Sequence, residues 1–361
     1  MDAIETASPT SVAAIETTSP MIDDTIGHID TDTDTMDMEE ATSMYSSPTS
    51  PATSEATTEE GALYDLISES IDDTTSIMSS TTSDPLAGVL VFIADFSGNM
   101  IWKMNSSTTS VFRDLKDGPK PFDITANIRQ EKIYWTGVDS PNHGIWRASF
   151  CNNDTERIFL SKNKKLDWIT IDKTSSTIYF SSRKNNTITS LNEIHFTQKI
   201  IVSGISYPRA LVVDEIGRYL YWSTAEGIFK KSLLRDEEHN LVVKASQCCD
   251  ALTIDATGQW LFYVSCNYTP ERTPDTLVFN IFSLAEMIQV EVTPPPFTKW
   301  EKLYDAQFFE GSLYWMDRDI FGASKIIPGS NLDDVTMQHS IISEQPVSAQ
   351  SRAMHLYLVR P

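Results

Sequence analysis

The chain has 361 residues, 40% of them hydrophobic, and a formal charge of −22, which supplies enough apolar material for one sizeable core. Residues 1–86 hold 19 of the 50 acidic residues and none of the 28 basic ones, so the remainder carries 31 acidic against 28 basic residues. This balance speaks against a nucleic-acid partner, which needs clustered Lys and Arg, and no apolar run approaches the roughly 18 residues of a membrane helix.

The N-terminus, Met1-Asp2-Ala3-Ile4-Glu5-Thr6, lacks the basic region and apolar core of a signal peptide. Residues 1–86 consist largely of Ser, Thr, Asp, Glu, Pro and Ala, with Tyr45 and Tyr64 as the only aromatics. Such a segment cannot bury enough apolar surface to offset its conformational entropy and is expected to be disordered. Clusters such as Ser46-Ser47-Pro48-Thr49-Ser50-Pro51 suit an O-glycosylated stalk, with an acidic linker as the equal alternative. Asp30, Asp32 and Asp34 imitate the start of an EF-hand loop. Thr35 and Ala41 occupy the positions that need Gly and a carboxylate, so no calcium site is expected there. Tyr64-Asp65-Leu66-Ile67 forms a short amphipathic patch.

From residue 90 onward a strand ending in an acidic or amide residue is followed, seven residues later, by an aromatic pair. Asn127 precedes Tyr134-Trp135, Asp172 precedes Tyr179-Phe180, Asp214 precedes Tyr221-Trp222, and Asp255 precedes Phe262-Tyr263. Phe92-Ile93 and Tyr314-Trp315 supply the first and last members. The intervals from Phe92 are 42, 45, 42, 41 and 52 residues, a period that indicates propeller blades. The unit beginning Ala210-Leu211-Val212-Val213-Asp214 turns at Gly217-Arg218 into Tyr219–Ser223. Strands over Gly227–Lys231 and Leu241–Lys244 follow, with the alternation and β-branched content of a sheet. The 52-residue interval implies a Pro-containing insertion near Tyr268–Thr276.

Tyr134-Trp135-Thr136, Tyr221-Trp222-Ser223-Thr224 and Tyr314-Trp315-Met316-Asp317, each beside its inner strand, resemble the YWTD (class B) repeat of the low-density lipoprotein receptor family. Only Phe92-Ile93-Ala94-Asp95 and the sixth unit keep the terminal Asp, so the likeness is to a divergent member. The resemblance implies an all-β fold: a six-bladed propeller over residues 87–361, preceded by the disordered acidic segment 1–86. Its first blade begins at the second strand, and Met354–Val359 closes the ring and removes exposed sheet edges. It also implies that Tyr134, Trp135, Asp172, Tyr179, Asp214, Tyr221, Trp222, Asp255, Tyr314, Trp315 and Asp317 hold blades together and form no site.

No Gly-x-Ser-x-Gly elbow, His-Glu-x-x-His helix or Walker loop occurs, and the His residues at 28, 143, 195, 239, 339 and 355 are isolated. Neither catalysis nor a metal or cofactor is expected. A calcium-dependent lactonase in the channel is the enzymatic alternative, and it would need acidic or amide side chains from several blades to converge on the axis. If the Asp255/Phe262 hairpin pairs symmetrically, Cys266 faces residue 251, which makes a Cys249–Cys266 bridge feasible. Cys151 is then expected to be free or to pair intermolecularly, and four reduced thiols are the equal alternative. Asn105, Asn153, Asn185 and Asn267 each begin an Asn-x-Ser/Thr acceptor.

Propellers usually bind partners where chains enter the innermost strands and leave the second ones. The corresponding positions are Phe122, Asp167, Arg209 and Asp250, with Trp168 next along, and they include the aromatic and Arg types of interface hot spots. The expected function is extracellular protein recognition. The resemblance implies part of an endocytic lipoprotein-receptor-like protein or a Wnt co-receptor, with a nidogen-like matrix scaffold as the runner-up. The missing export signal then implies a fragment, or a propeller excised from a larger ectodomain.

Overall fold

The structure is a computed structural model that describes residues 84–361, apart from 117, 139–142, 153, 162–164, 245–250, 269–273, 293–302, 318–319, 328–335, 345–353 and 361. The expectation of disorder for residues 1–83, and those resting on Asn153, Cys249 and Asp250, lie outside the described residues, as do the side chains of Cys266, Asn267 and Asp317.

Six four-stranded antiparallel sheets make up the described region. Blade 1 pairs β24 (Met354–Val359) with β1 (Leu90–Asp95), β2 (Met100–Met104) and β3 (Thr109–Asp114). Blade 2 comprises β4 (Pro121–Asn127), β5 (Lys132–Gly137), β6 (Gly144–Ser149) and β7 (Thr155–Leu160). Blade 3 follows with β8 (Ile169–Asp172), β9 (Thr177–Ser182), β10 (Thr187–Asn192) and β11 (Gln198–Ser203). Blade 4 holds β12 (Leu211–Asp214), β13 (Tyr219–Ser223), β14 (Ile228–Ser232) and β15 (Asn240–Val243). Blade 5 consists of β16 (Leu252–Ile254), β17 (Trp260–Tyr268), β18 (Pro274–Ser283) and β19 (Gln289–Val292). Blade 6 is built from β20 (Leu303–Phe309), β21 (Ser312–Asp317), β22 (Ile320–Ile327) and β23 (Thr336–Glu344). The innermost strands β4, β8, β12, β16, β20 and β24 contact one another in that cyclic order, so the sheets form a closed six-bladed β-propeller.

The repeat aromatics explain why the sheets stack. Trp135, Trp222 and Trp315 are fully buried, as are Tyr134 and Phe92, and they sit in apolar clusters that span neighbouring blades. Burying a ring of this size contributes several kcal/mol (roughly 25 cal/mol per Å² of apolar surface). Asp84–Val89 belongs to the packed region: Leu86 and Val89 are buried at the seam of blades 6 and 1, and Tyr314 donates to the Pro85 carbonyl at 2.7 Å. Packing onto the propeller therefore extends N-terminal to residue 87.

Blade 5 corrects two expectations. Both ends of the anticipated insertion are strand, because β17 runs to Tyr268 and β18 starts at Pro274. The β16–β17 register pairs Leu252 with Tyr263, and Val264 N–H donates to the Ala251 carbonyl at 3.2 Å, so Val264 rather than Cys266 lies opposite residue 251. The cause is the closing pair of the turn, where Asp255 N–H bonds to the Trp260 carbonyl at 3.0 Å and shifts the register by two residues.

Candidate ligand-binding site

Each innermost strand runs from one face of the ring to the other. The face where these strands begin is called upper, and the one where they end lower. On the upper face Phe122 is half-buried and packs edge-on against Trp168, with ring centroids 5.4 Å apart. Trp168 itself is buried, as is Asp167, which accepts from Arg183 through its backbone N–H at 2.7 Å and its Nε at 3.2 Å. The guanidinium of Arg183 also lies over the Trp168 ring, 5.2 Å from its centroid. Asp167 and Trp168 are thus foundation, and the side chains they support are Phe122 and Arg183; half-buried Arg209 leads into the next innermost strand on the same face. The ammonium of Lys165, an exposed residue, stands 5.8 Å from the Phe122 ring. Exposed Tyr207 adds an aromatic two residues before Arg209. Lys165, Arg183 and Tyr207 escaped the sequence reading because they lie outside the repeat register that located the others.

The lower face opens into an axial channel of about 1200 Å³. Thr125, Thr170, Val212, Thr253, Gln307 and Tyr357 line it, one from each innermost strand, and each lies opposite the first aromatic of its repeat. Two of them tie blades together: Thr253 Oγ1 accepts from Phe308 N–H at 3.1 Å, and Gln307 Oε1 accepts from Leu358 N–H at 2.7 Å. They satisfy backbone donors on strand edges that have no strand partner, which would be costly if left unpaired. At the mouth, Lys173 pairs with Glu215 at 3.4 Å and Arg360 with Glu310 at 2.5 Å.

The repeat acids lie at the seams around this mouth. Asp172 accepts two hydrogen bonds from Arg218 of the next blade, at 2.9 and 2.5 Å, and one from Thr174 N–H at 3.0 Å. Burial works against its charge, but Arg218, Ser175 and the Thr174 N–H outweigh it and hold the carboxyl below the usual Asp range. Asp214 is buried as well and accepts from the N–H groups of Ile216 (2.9 Å) and Gly217 (2.7 Å). Burial pushes this carboxyl up, the two N–H bonds oppose the shift, and the charge of Asp255 adds to it. Tyr179 is pushed up to about 12 by burial and by neighbouring Asp172.

The remaining candidates are dispersed. His239 packs 5.5 Å from the Trp222 ring, and His339 shares a 2.7 Å hydrogen bond with the buried Ser324 hydroxyl. Cys151 is free and exposed. Asn185 Nδ2 donates to Ser182 at 2.7 Å, whereas Asn105 sits on a lower-face turn, its Oδ1 accepting from the N–H groups of Ser107 and Thr108. Among the described residues no group of three or more His, Cys, Asp or Glu side chains is placed to hold a metal ion, and no helix is long and apolar enough to cross a membrane.

No family model matches the chain. Among solved structures it is similar to a chain in a crystal structure of a nidogen/laminin complex, with a TM-score of 0.59 and 13% identity, covering 74% of this chain and 98% of that one. At this identity the likeness concerns the fold, and it matches the six-bladed ring.

Proposed function

We propose that the chain is a protein-recognition propeller working outside the cell, as part of a lipoprotein-receptor-like endocytic receptor or a Wnt co-receptor, with no catalytic role of its own. The observation that carries this reading is the upper-face cluster. Phe122 and Arg183 pack on the buried Asp167–Trp168 pair, Lys165 stands over the Phe122 ring, and half-buried Arg209 leads into the next innermost strand, a combination of aromatic and Arg side chains typical of interface hot spots. A nidogen-like matrix scaffold is the second reading, favoured by the fold neighbour taken from a nidogen/laminin complex.

The test is surface plasmon resonance of the folded chain against an array of receptor ectodomains and matrix proteins. A saturable ligand is expected, with affinity falling at least tenfold in a Phe122→Ala/Arg209→Ala double variant of unchanged thermal midpoint. No saturable ligand, or one bound equally by the double variant, counts against the upper-face reading. Turnover of lactones or esters that is lost on calcium chelation would overturn the non-catalytic part. Peptide-N-glycosidase treatment of the endogenous protein tests location: a downward gel shift supports a secretory route, and an unchanged mobility opposes it.

A further inference from the structure

We propose that the lower mouth of the axial channel, at the seam between blades 4 and 5, is a second binding site that takes a guanidinium or ammonium side chain carried on an apolar segment of a partner protein. It goes beyond the upper-face reading and does not depend on it.

One position differs from seam to seam around the ring. The residue ending the innermost strand of blade 2 is neutral Asn127, and the register-equivalent position in blade 3 is neutral Ser176, held by Gln130 Nε2 at 3.0 Å. In blade 3 the residue is Asp172, and blade 4 places Arg218 against it. In blade 4 the residue is again an acid, Asp214, but blade 5 supplies Gln259 where blade 4 supplied Arg218. The turn differs too. The left-handed residue stands fourth after the repeat residue in blades 2, 3 and 4 (Glu131 after Asn127, Ser176 after Asp172, Arg218 after Asp214), and third in blade 5 (Gly258, φ +72°, after Asp255). This brings Gly258 so close to Asp214 that an added Cβ would stand 2.5 Å from its carboxylate oxygen. A backbone atom thus approaches the carboxylate that, one seam earlier, receives a guanidinium.

The charges around Asp214 leave this seam negative. Arg218, which lies near it, is committed to Asp172. Of the cations lining the channel, Lys173 is paired with Glu215 and Arg360 with Glu310, and Lys325, exposed, stands on β22 of blade 6. The carboxylates of Asp214 and Asp255 accept hydrogen bonds from turn N–H groups at the channel wall. A buried carboxylate without an opposite charge is costly, and a cation arriving from the channel would relieve it. Among the described residues no third carboxylate is placed to complete a metal shell, which points to an organic cation. The apolar half of the ligand is indicated by Ile216, 70% exposed on the lip, and by Ile254 and Phe308 on the channel wall.

The test is calorimetric titration of the intact chain with acetyl-Leu-Arg-Leu-amide and with its neutral citrulline counterpart. The arginine peptide is expected to bind, with the citrulline peptide at least tenfold weaker. Asp214→Asn keeps an acceptor for the two turn N–H groups and should weaken the arginine peptide at least tenfold. Ile216→Lys, at an exposed site with no folding role, sets a competing ammonium on the lip and should do the same. The Phe122→Ala/Arg209→Ala double variant should bind the peptide as the wild type does, so the two faces are separated. Equal affinity for both peptides, insensitivity to Ile216→Lys, or no binding at millimolar peptide overturns the proposal. Should Asp214→Asn fail to fold, Ile216→Lys decides alone.

Discussion

The seams between blades 3 and 4 and between blades 4 and 5 start from the same element: a short inner strand ending in a buried aspartate, Asp172 or Asp214. At the first, Arg218 turns the acid into an inter-blade latch. At the second, Gly258 presents backbone to the carboxylate and the charge is left to two N–H groups. The difference teaches that a repeat position has no fixed energetic meaning. The turn of the following blade decides whether the same acid stabilises the ring or burdens it.

The sharpest way to break this contrast is Arg218→Ala. Leaving Asp172 buried without its guanidinium is expected to cost on the order of 3 kcal/mol by urea unfolding at neutral pH. Because the folded-state pKa of Asp172 is depressed, the latch contributes fully above the ordinary Asp value of about 3.9. Its contribution is lost as pH falls through the lower folded value, so wild type and variant should converge in acid. Convergence at neutral pH would show that the ion pair contributes nothing.

A smaller loss is expected from Gly258→Ala, about 2 kcal/mol, because the new Cβ meets both a left-handed backbone and the Asp214 carboxylate. Gly204→Ala is the control: Gly204 has φ +73° and nothing within 4 Å of the added carbon, so about 1 kcal/mol is expected from backbone strain alone. Equal losses at the two sites would remove the close approach from the account. Asn127→Asp should cost about 1 kcal/mol at neutral pH by placing a buried charge where blade 3 offers Ser176, and the cost should disappear once the carboxyl is protonated.

The smallest effect is expected at Asp214→Asn, within about 0.5 kcal/mol of wild type at neutral pH, because the amide oxygen can accept the same N–H groups. Here the sign reverses. The Asp214 pKa is raised in the folded state, so its ionisation opposes folding. Wild-type stability at this site should rise as pH falls through the raised folded value, and the gain is complete below the ordinary value of about 3.9. Unfolding curves of the wild type and the variant between pH 7 and 3.5 would show this, and a parallel decline of both would refute it.

Much of the fold was legible because blade repeats write themselves as local alternation. An aromatic pair every 41–52 residues marks the second strand of each sheet, and Trp135, Trp222 and Trp315 are buried accordingly. The upper face was legible only in part. Phe122, Trp168 and Arg209 were found from strand register, yet Trp168 is foundation rather than surface, because Arg183 and Phe122 cover it. Register tells where a residue stands along a strand, and says nothing of what the next blade lays over it.

By itself the sequence determined the number of blades, the aromatic core and the closing of the ring by Met354–Val359 against β1. The first two follow from alternation and periodicity, which are properties of neighbouring residues, and the third from the resemblance of the C-terminal strand to the one that closes a known family of propellers. Only the tertiary structure decided the two-residue shift of the β16–β17 register, the burial of Asp167 and Trp168, and the pairing of Asp172 but not Asp214 with a guanidinium. Those outcomes depend on turn shape and on contacts between residues some 46 positions apart, as between Asp172 and Arg218. Charge and burial act through space at such seams, so the same aspartate is a latch in one and an uncompensated charge in the next.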